Sequence, residues 1–303
     1  MSKTKTLSLS LLTMLLWGTL FPMVKLGFSA YEVKSTADIL LFAGVRFTIC
    51  GAIICFFTFL KDKSSYRAAG SSIVPILVAG IFAISLHYGF SYIGLELTDS
   101  SKTALIKQVG SLLYVCFSFL FIKEDKPTVK KIIAAVIGFL GIIALNIDSS
   151  GFSFHIGDVL ILCSSFCLVF SNIISKKVFS KVAPITTTGI SQVCGGIVLL
   201  IVGTLMGGKV SFRADTSIFI MLYICSASVV SYCIWYYVMK NGELSKLFII
   251  KFSEPIFACV FGAIILGENI WKIQYLIALI LICLAVWISN MDASKKLRKN
   301  EDK

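Results

Sequence analysis

Ten apolar stretches, at residues 7–28, 37–60, 72–95, 99–122, 129–147, 156–175, 184–206, 216–238, 247–266 and 273–290, succeed one another along the 303 residues. Each approaches the roughly 20 residues that carry a helix across a hydrocarbon core about 30 Å thick. Lipid offers a backbone no hydrogen-bond partners, so such segments must close their own hydrogen bonds as helices. The fold class this predicts is an all-α integral membrane protein with ten transmembrane helices. Composition agrees, because 57% of residues are hydrophobic and only 15% are charged, too few to coat a water-soluble globule. The connections are short, which excludes a fused ATPase or kinase domain. The stretch GTLMGGKV (203–210) approaches a phosphate-binding loop, yet Val210 stands where a hydroxyl would hold magnesium, and an apolar helix precedes it. The first segment lacks the short apolar core and small-residue cleavage site of a secretory signal and is expected to be a retained first span.

The net charge of +12 would suggest nucleic acid on a soluble chain. Its placement argues otherwise. With the N-terminus in the cytoplasm, 19 Lys and Arg residues fall in cytoplasmic segments and 5 outside, namely Lys34, Lys102, Lys209, Arg213 and Lys272. That asymmetry is the positive-inside pattern. It predicts a multi-pass protein of the plasma (cell) membrane with both termini cytoplasmic, partnered by the lipid bilayer and by no nucleic acid. Four basic residues remain inside spans: Lys25, Arg46, Lys107 and Lys251. All nine aspartates and six of the seven glutamates lie in loops or at span ends, which leaves Glu254 as the one carboxylate deep in the membrane.

Sliding the sequence against itself gives a match at an offset of 144 residues. SKTALIKQVGSLL (101–113) lies over SKLFIIKFSEPIF (245–257), which pairs Ser101 with Ser245, Lys102 with Lys246 and Lys107 with Lys251. The register extends to Tyr88 and Tyr232, Tyr92 and Tyr236, Glu124 and Glu268, Asn146 and Asn290, and Asp148 and Asp292. Residues 1–148 therefore form a first repeat of five spans and residues 149–303 a second, with a short cytoplasmic tail. Five is odd, so the second repeat must enter the membrane from the opposite side. Inverted repeats of this kind mark secondary transporters, whose substrate site lies near mid-membrane between the repeats.

LLWGTLFPMVKLG (15–27), GVRF (44–47) and above all SEPIFACVFGAIILGENI (253–270) resemble the drug/metabolite transporter superfamily, EamA type, and the resemblance covers nearly the whole chain. It implies two five-helix repeats, with a proline in the fourth helix of each and a Gly-Glu pair at its end. Pro255, Gly267 and Glu268 conform; the first half departs, with Ser111 at the proline position and Lys123-Glu124 at the end. Sugar-phosphate translocators of the same superfamily hold phosphate with basic residues on these two helices, which implies an anionic substrate.

A charge at mid-membrane costs from about 2.5 to more than 10 kcal/mol, so each buried cation needs compensation. Glu254 follows Lys251 by three residues on the same helix face and is expected to pair with it. Gly110 occupies the matching place beside Lys107, which leaves that lysine without a local partner. Lys107 either snorkels toward headgroups, forms a structural ion pair, or projects into a wet cavity and binds an anion. The expected substrate-binding set is Lys107, Lys251 and Glu254, with Tyr88, Tyr232, His87, Trp235 and Trp17 lining the cavity. Arg46 is open to either a helix–helix hydrogen bond or substrate contact. Lys25 is expected to snorkel, and Tyr92, Tyr236 and Tyr237 to join the interfacial aromatic belt. Gly203 with Gly207, and Ala134 with Gly138 and Gly141, are expected to allow close helix packing.

These expectations converge on a secondary active transporter. It would move a small polar organic metabolite, bearing a carboxylate or phosphate, by alternating access; proton or counter-substrate coupling and oligomeric state stay open. The alternative is an exporter of amino acids or amphipathic drugs in which aromatic side chains supply the contacts. An enzyme is not expected, because the only histidines are His87 and His155 and Glu254 lacks a second carboxylate. The ten cysteines all fall inside spans with no CxxC pair, so no metal or cofactor is expected.

Overall fold

The computed structural model describes residues 3–108, 129–148, 151–152, 155–211, 216–241, 250–251 and 253–301. Helix α1 (Lys3–Ala30) leads into α2 (Thr36–Lys61) and the short α3 (Lys63–Ser71). A third crossing stacks α4 (Ile73–Gly80), a π-helical segment (Ile81–Leu86) and α5 (His87–Glu96) end to end. Helix α6 is described over residues 100–108. Then come α7 (Val129–Leu145), α8 (Ile156–Phe179), α9 (Pro184–Leu205), α10 (Ser217–Asn241), α11 (Ser253–Leu266) and α12 (Ile273–Glu301). Six helical stretches are long and apolar enough to cross a membrane: Lys5–Ala30, Thr36–Lys61, Ile73–Glu96, Ile156–Phe179, Pro184–Leu205 and Ser217–Trp235. Shorter apolar helices occupy Ile132–Leu145, Ser253–Leu266 and Ile273–Ala285. Gly110, Ser111, Lys123, Glu124, Arg213, Ser245 and Lys246, and the side chains of Tyr236, Asn290 and Asp292, lie outside the described residues. The strands among the described residues form one two-residue antiparallel ladder, Ile147–Asp148 against Gly151–Phe152.

Local chemistry sets several helix starts. Ser35 accepts the Asp38 N–H while Asp38 accepts the Ser35 N–H, a reciprocal box at the head of α2. Asp38 also takes the Lys209 N–H at 2.6 Å, tying the segment after α9 to the start of α2. Pro184 opens α9, where its missing N–H costs nothing.

The longest helix–helix contact joins α2 to α9, and glycine permits it. A Cβ at Gly44 would lie 2.7 Å from the Leu200 nitrogen, and one at Gly196 would lie 2.6 Å from the Thr48 nitrogen, so the two backbones touch. Gly203 joins the same seam, against Leu41 and Ala37. Gly207 does not. It stands in open space at φ +80°, ending the helix rather than packing it. Helix α7 lies along α12, with Gly141 against Ile282. Helix α1 packs on α10 and α11, and α8 packs on the α4–π–α5 stack. Apolar side chains such as Phe56, Phe57, Val136, Phe139 and Ile264 point outward, as a lipid-facing surface requires.

At the end of the bundle where α5 turns into α6, polar groups interlock. Glu268 accepts the backbone N–H of Ser100 (2.6 Å) and Ser101 (3.0 Å) and the Ser101 hydroxyl (2.5 Å). It thereby caps the first turn of α6, where N–H groups lack helical partners and the dipole favours an anion. Gly262 makes room, since a Cβ there would sit 2.6 Å from the Glu268 carboxylate. Tyr275 donates to Asp99 at 2.9 Å. Lys102, counted from sequence among the extramembrane lysines, is instead buried. Its ammonium donates to Asp158 at 3.0 Å and to Asn146 at 2.9 Å, because α8 and the end of α7 close over it.

Candidate functional site

A cavity of about 300 Å³ opens among α1, α2, the π-helical segment, α5, α6, α8, α9, α10 and α11. All eight residues singled out from the sequence, Lys107, Lys251, Glu254, Tyr88, Tyr232, His87, Trp235 and Trp17, line it. At one end the wall runs past Asn172 and Ser175 to Phe179, the last residue of α8, and across to Thr187 and Thr188 in the first turn of α9. The other end stops at Val24, Tyr92 and Leu95, which belong to a packed apolar cluster with Phe28 and Phe42. Beyond that plug Lys25 donates to the Thr98 carbonyl at 2.6 Å, close to the Glu268 cap. Lys25 thus binds the chain after α5 instead of reaching for headgroups.

The π-helical segment aims part of this wall. A π turn inserts an extra residue, which rotates the face that follows it. Ser171 of α8 and Ser191 of α9 donate to the Ala79 and Ile76 carbonyls just before it, and Ser85 within it donates to the Gly195 carbonyl. Immediately after it come His87 and Tyr88. His87 bonds through Nδ1 to the Ser164 carbonyl at 2.6 Å; a carbonyl only accepts, so Nδ1 carries the hydrogen. The Tyr88 hydroxyl meets that of Tyr232 at 3.2 Å. Trp17 lies edge-on to Tyr232 and against Trp235, with ring centres 5.9 Å and 5.3 Å away.

Against this aromatic wall the charges are thinly partnered. Lys107 donates to the Ser91 hydroxyl at 3.2 Å, and its ammonium lies 5.4 Å from the Phe21 ring centre and 5.1 Å from that of Tyr88. Aromatic faces and a hydroxyl attract a cation but carry no countercharge. The expected Lys251–Glu254 ion pair does not form: the one ion pair among the described residues joins Lys102 and Asp158. Gln108 lies beside the Glu254 carboxylate instead. The Glu254 N–H donates to the Lys251 carbonyl at 3.2 Å, so the two residues share a turn, yet their charged ends stay beyond ion-pair distance.

Two further residues belong to the wall. Arg46 is 2% exposed and donates to the Ser228 hydroxyl of α10 at 2.8 Å, the helix–helix bond that the sequence left open. It also lines the cavity. Tyr92, assigned from sequence to the interfacial belt, is instead buried against Phe28, Phe47 and Tyr88, because α1 and α2 cover that end of α5. Tyr237 is exposed on α10, as a belt residue would be. Neither Arg46 nor Tyr92 could be placed on the cavity from spacing alone, since their neighbours come from helices distant in sequence. The charge of Arg46 was the only signal.

Comparison with known proteins fits a polar cavity inside an apolar helical bundle. Residues 4–147 and 155–291 each match the EamA-like transporter family. The chain belongs to that family. An uncharacterized transporter of Bacillus subtilis, YvbV, is 27% identical over 294 residues, covering 95% of this chain and 92% of its own. An uncharacterized transporter of Archaeoglobus fulgidus is 24% identical over 273 residues, covering 88% and 90%. The uncharacterized inner membrane transporter YedA of Escherichia coli is 23% identical, covering 86% and 83%. A solved crystal structure superposes with a TM-score of 0.66 at 18% identity, over 97% of this chain and 99% of that one, and so shares its fold. This EamA-like chain is therefore a multi-pass membrane protein of a transporter family.

Proposed function

We propose that the protein is a secondary active transporter of a small polar organic anion, bound at Lys107 in the central cavity. The observation that carries this reading is the ammonium of Lys107, which lies on the cavity wall bonded to one hydroxyl and flanked by two aromatic rings, with Glu254 on the same wall but beyond ion-pair distance. A cation in a wet cavity keeps its charge at modest cost, whereas occluding it alone is expensive. A carboxylate or phosphate on the substrate offsets that cost. Loaded protein then crosses between its two open forms more readily than empty protein. Lys251 and Glu254 sit on the same wall, and Glu254 is the group placed to exchange a proton or answer a counter-substrate.

Ten helices in two inverted five-helix repeats, residues 1–148 and 149–303, supply the moving parts of this proposal. Several contacts support it. Helices α2 and α9, and α7 and α12, are equivalent at the 144-residue offset, and each pair packs together. The contact of α1 with α10 is answered by that of α8 with the α4–π–α5 stack. Tyr88 and Tyr232, equivalent residues, touch through their hydroxyls. A pseudo-two-fold axis in the membrane plane generates this set of contacts. With both termini cytoplasmic, in a cell membrane, the cavity reaches the cytoplasmic ends of α8 and α9. This conformation is then the inward-facing one, closed outside by the Glu268 cap.

Purified protein tests the anion site directly. Lys107→Gln removes the charge and keeps a hydrogen-bonding side chain, so the variant unfolds at the wild-type temperature but loses stabilisation and transport by carboxylate or phosphate compounds. Full transport by Lys107→Gln rejects the assignment. The Trp17–Tyr232–Trp235 cluster favours a second reading, export of amino acids or amphipathic drugs through aromatic contact. Under it, neutral aromatic compounds outcompete small anions.

A further inference from the structure

The cavity holds a second cation that the anion reading above does not use. Arg46 is buried, lines the cavity, and has one hydrogen bond to a neutral partner, the Ser228 hydroxyl. A guanidinium carries five N–H donors. Here Nε has no partner, and no carboxylate of the described residues lies within ion-pair distance. Its neighbours are the ring faces of Phe47, Tyr92 and Tyr88, at 4.7, 5.6 and 5.9 Å from the guanidinium carbon. The Tyr92 hydroxyl beside it is buried and unpartnered as well, and Tyr92 is also part of the wall. Buried donors are nearly always satisfied, by protein, water or ligand. Both residues line the cavity although these two atoms have no exposed surface of their own, so a small rotation of either side chain presents its spare donor to an occupant.

Charge extends the argument. The Arg46 guanidinium and the Lys107 ammonium lie 5.9 Å and 5.1 Å from the centre of the same Tyr88 ring, so one small molecule can reach both. Among the described lining residues Arg46, Lys107 and Lys251 oppose Glu254 alone. Fully ionised, these groups leave an excess of two positive charges. A monoanion neutralises half of that excess, and a dianion all of it. Resting on the reading of this cavity as the substrate site, we infer that the occupant is a small organic dianion: a dicarboxylate with one carboxylate on Lys107 and the other on Arg46 and Tyr92, or a phosphate monoester whose one doubly charged phosphate sits between the two cations. Arg46 is then the residue that separates dianions from monoanions.

The test uses thermal unfolding of the purified protein at constant ionic strength, titrated with four probes. Succinate and glycerol 3-phosphate are the dianions, succinamate is the monoanion matched in size to succinate, and succinamide is its neutral counterpart. Wild type should respond to one or both dianions at concentrations about ten- to a hundred-fold below those needed for succinamate, the size of effect a charge-assisted hydrogen bond gives. Which dianion acts distinguishes a dicarboxylate from a phosphate ester. Arg46→Gln should erase the preference, so that the dianions and succinamate act over the same concentration range. Ser228→Ala, which removes the bond to α10 but not the charge, should keep it. If Arg46→Gln does not fold, Tyr92→Phe decides, because losing that hydroxyl should weaken the dianion response severalfold, and more than the succinamate response. The inference is overturned if succinamate equals the dianions, if the preference survives Arg46→Gln, if it is undiminished in Tyr92→Phe, or if neither dianion acts at tens of millimolar. A succinamate response that needs Lys107 but not Arg46, with no dianion preference, sinks this inference alone. Equal responses to succinamide in wild type and Lys107→Gln, with none to the anions, sink the anion site itself.

Discussion

Lys102 and Lys107 stand five residues apart on one helix, yet their surroundings differ in kind. Lys102 is enclosed by a carboxylate and an amide, each within 3.0 Å, and Asp158 itself has no exposed surface. Lys107 has a hydroxyl at 3.2 Å, aromatic faces and a cavity. The protein therefore completes one cation from its own side chains and leaves the other incomplete. A buried charge with a full set of partners holds helices together; a buried charge short of partners is an address for something that arrives.

This contrast can be broken or sharpened by substitution. The largest effect is expected for Lys102→Met, which abandons Asp158 as an uncompensated buried charge and should cost about 3–5 kcal/mol in denaturant unfolding. A loss near zero would mean that Lys102 is no more structural than Lys107. Glu268→Ala comes next. It strips the cap from α6, and the loss of charge-assisted bonds predicts about 2–3 kcal/mol by the same assay. Tyr275→Phe deletes only the hydroxyl donated to Asp99 and should cost about 1 kcal/mol. Smallest of all is Lys107→Gln, expected to change stability by less than about 0.5 kcal/mol, since no carboxylate of the described residues forms an ion pair with it. A drop comparable to that of Lys102→Met would erase the distinction.

Much of the fold could be read from the sequence, because a membrane demands length and apolarity of each crossing, and both are one-dimensional properties. The 144-residue offset likewise located Tyr88 and Tyr232, whose hydroxyls meet. What stayed hidden depends on partners far away in the chain. Lys102 looked like a loop residue because nothing near it announces that Asp158 will close over it. Tyr92 looked interfacial because its position near a span end does not reveal the α1 and α2 rings that bury it. The Lys251–Glu254 spacing suggested a pair, and the backbone does join them in one turn, but spacing does not fix where the side chains point. The π-helical segment left no periodic trace in a run that is apolar on all sides.

Water access at the two lysines is the most direct measurement of this account. In a variant whose ten native cysteines are replaced by serine or alanine, Lys107→Cys and Lys102→Cys would each be exposed to a membrane-impermeant, water-soluble thiol reagent. The account predicts rapid modification at position 107, slowed by bound anion, and protection at position 102. An unreactive thiol at 107, or equal reactivity at both positions, would contradict it.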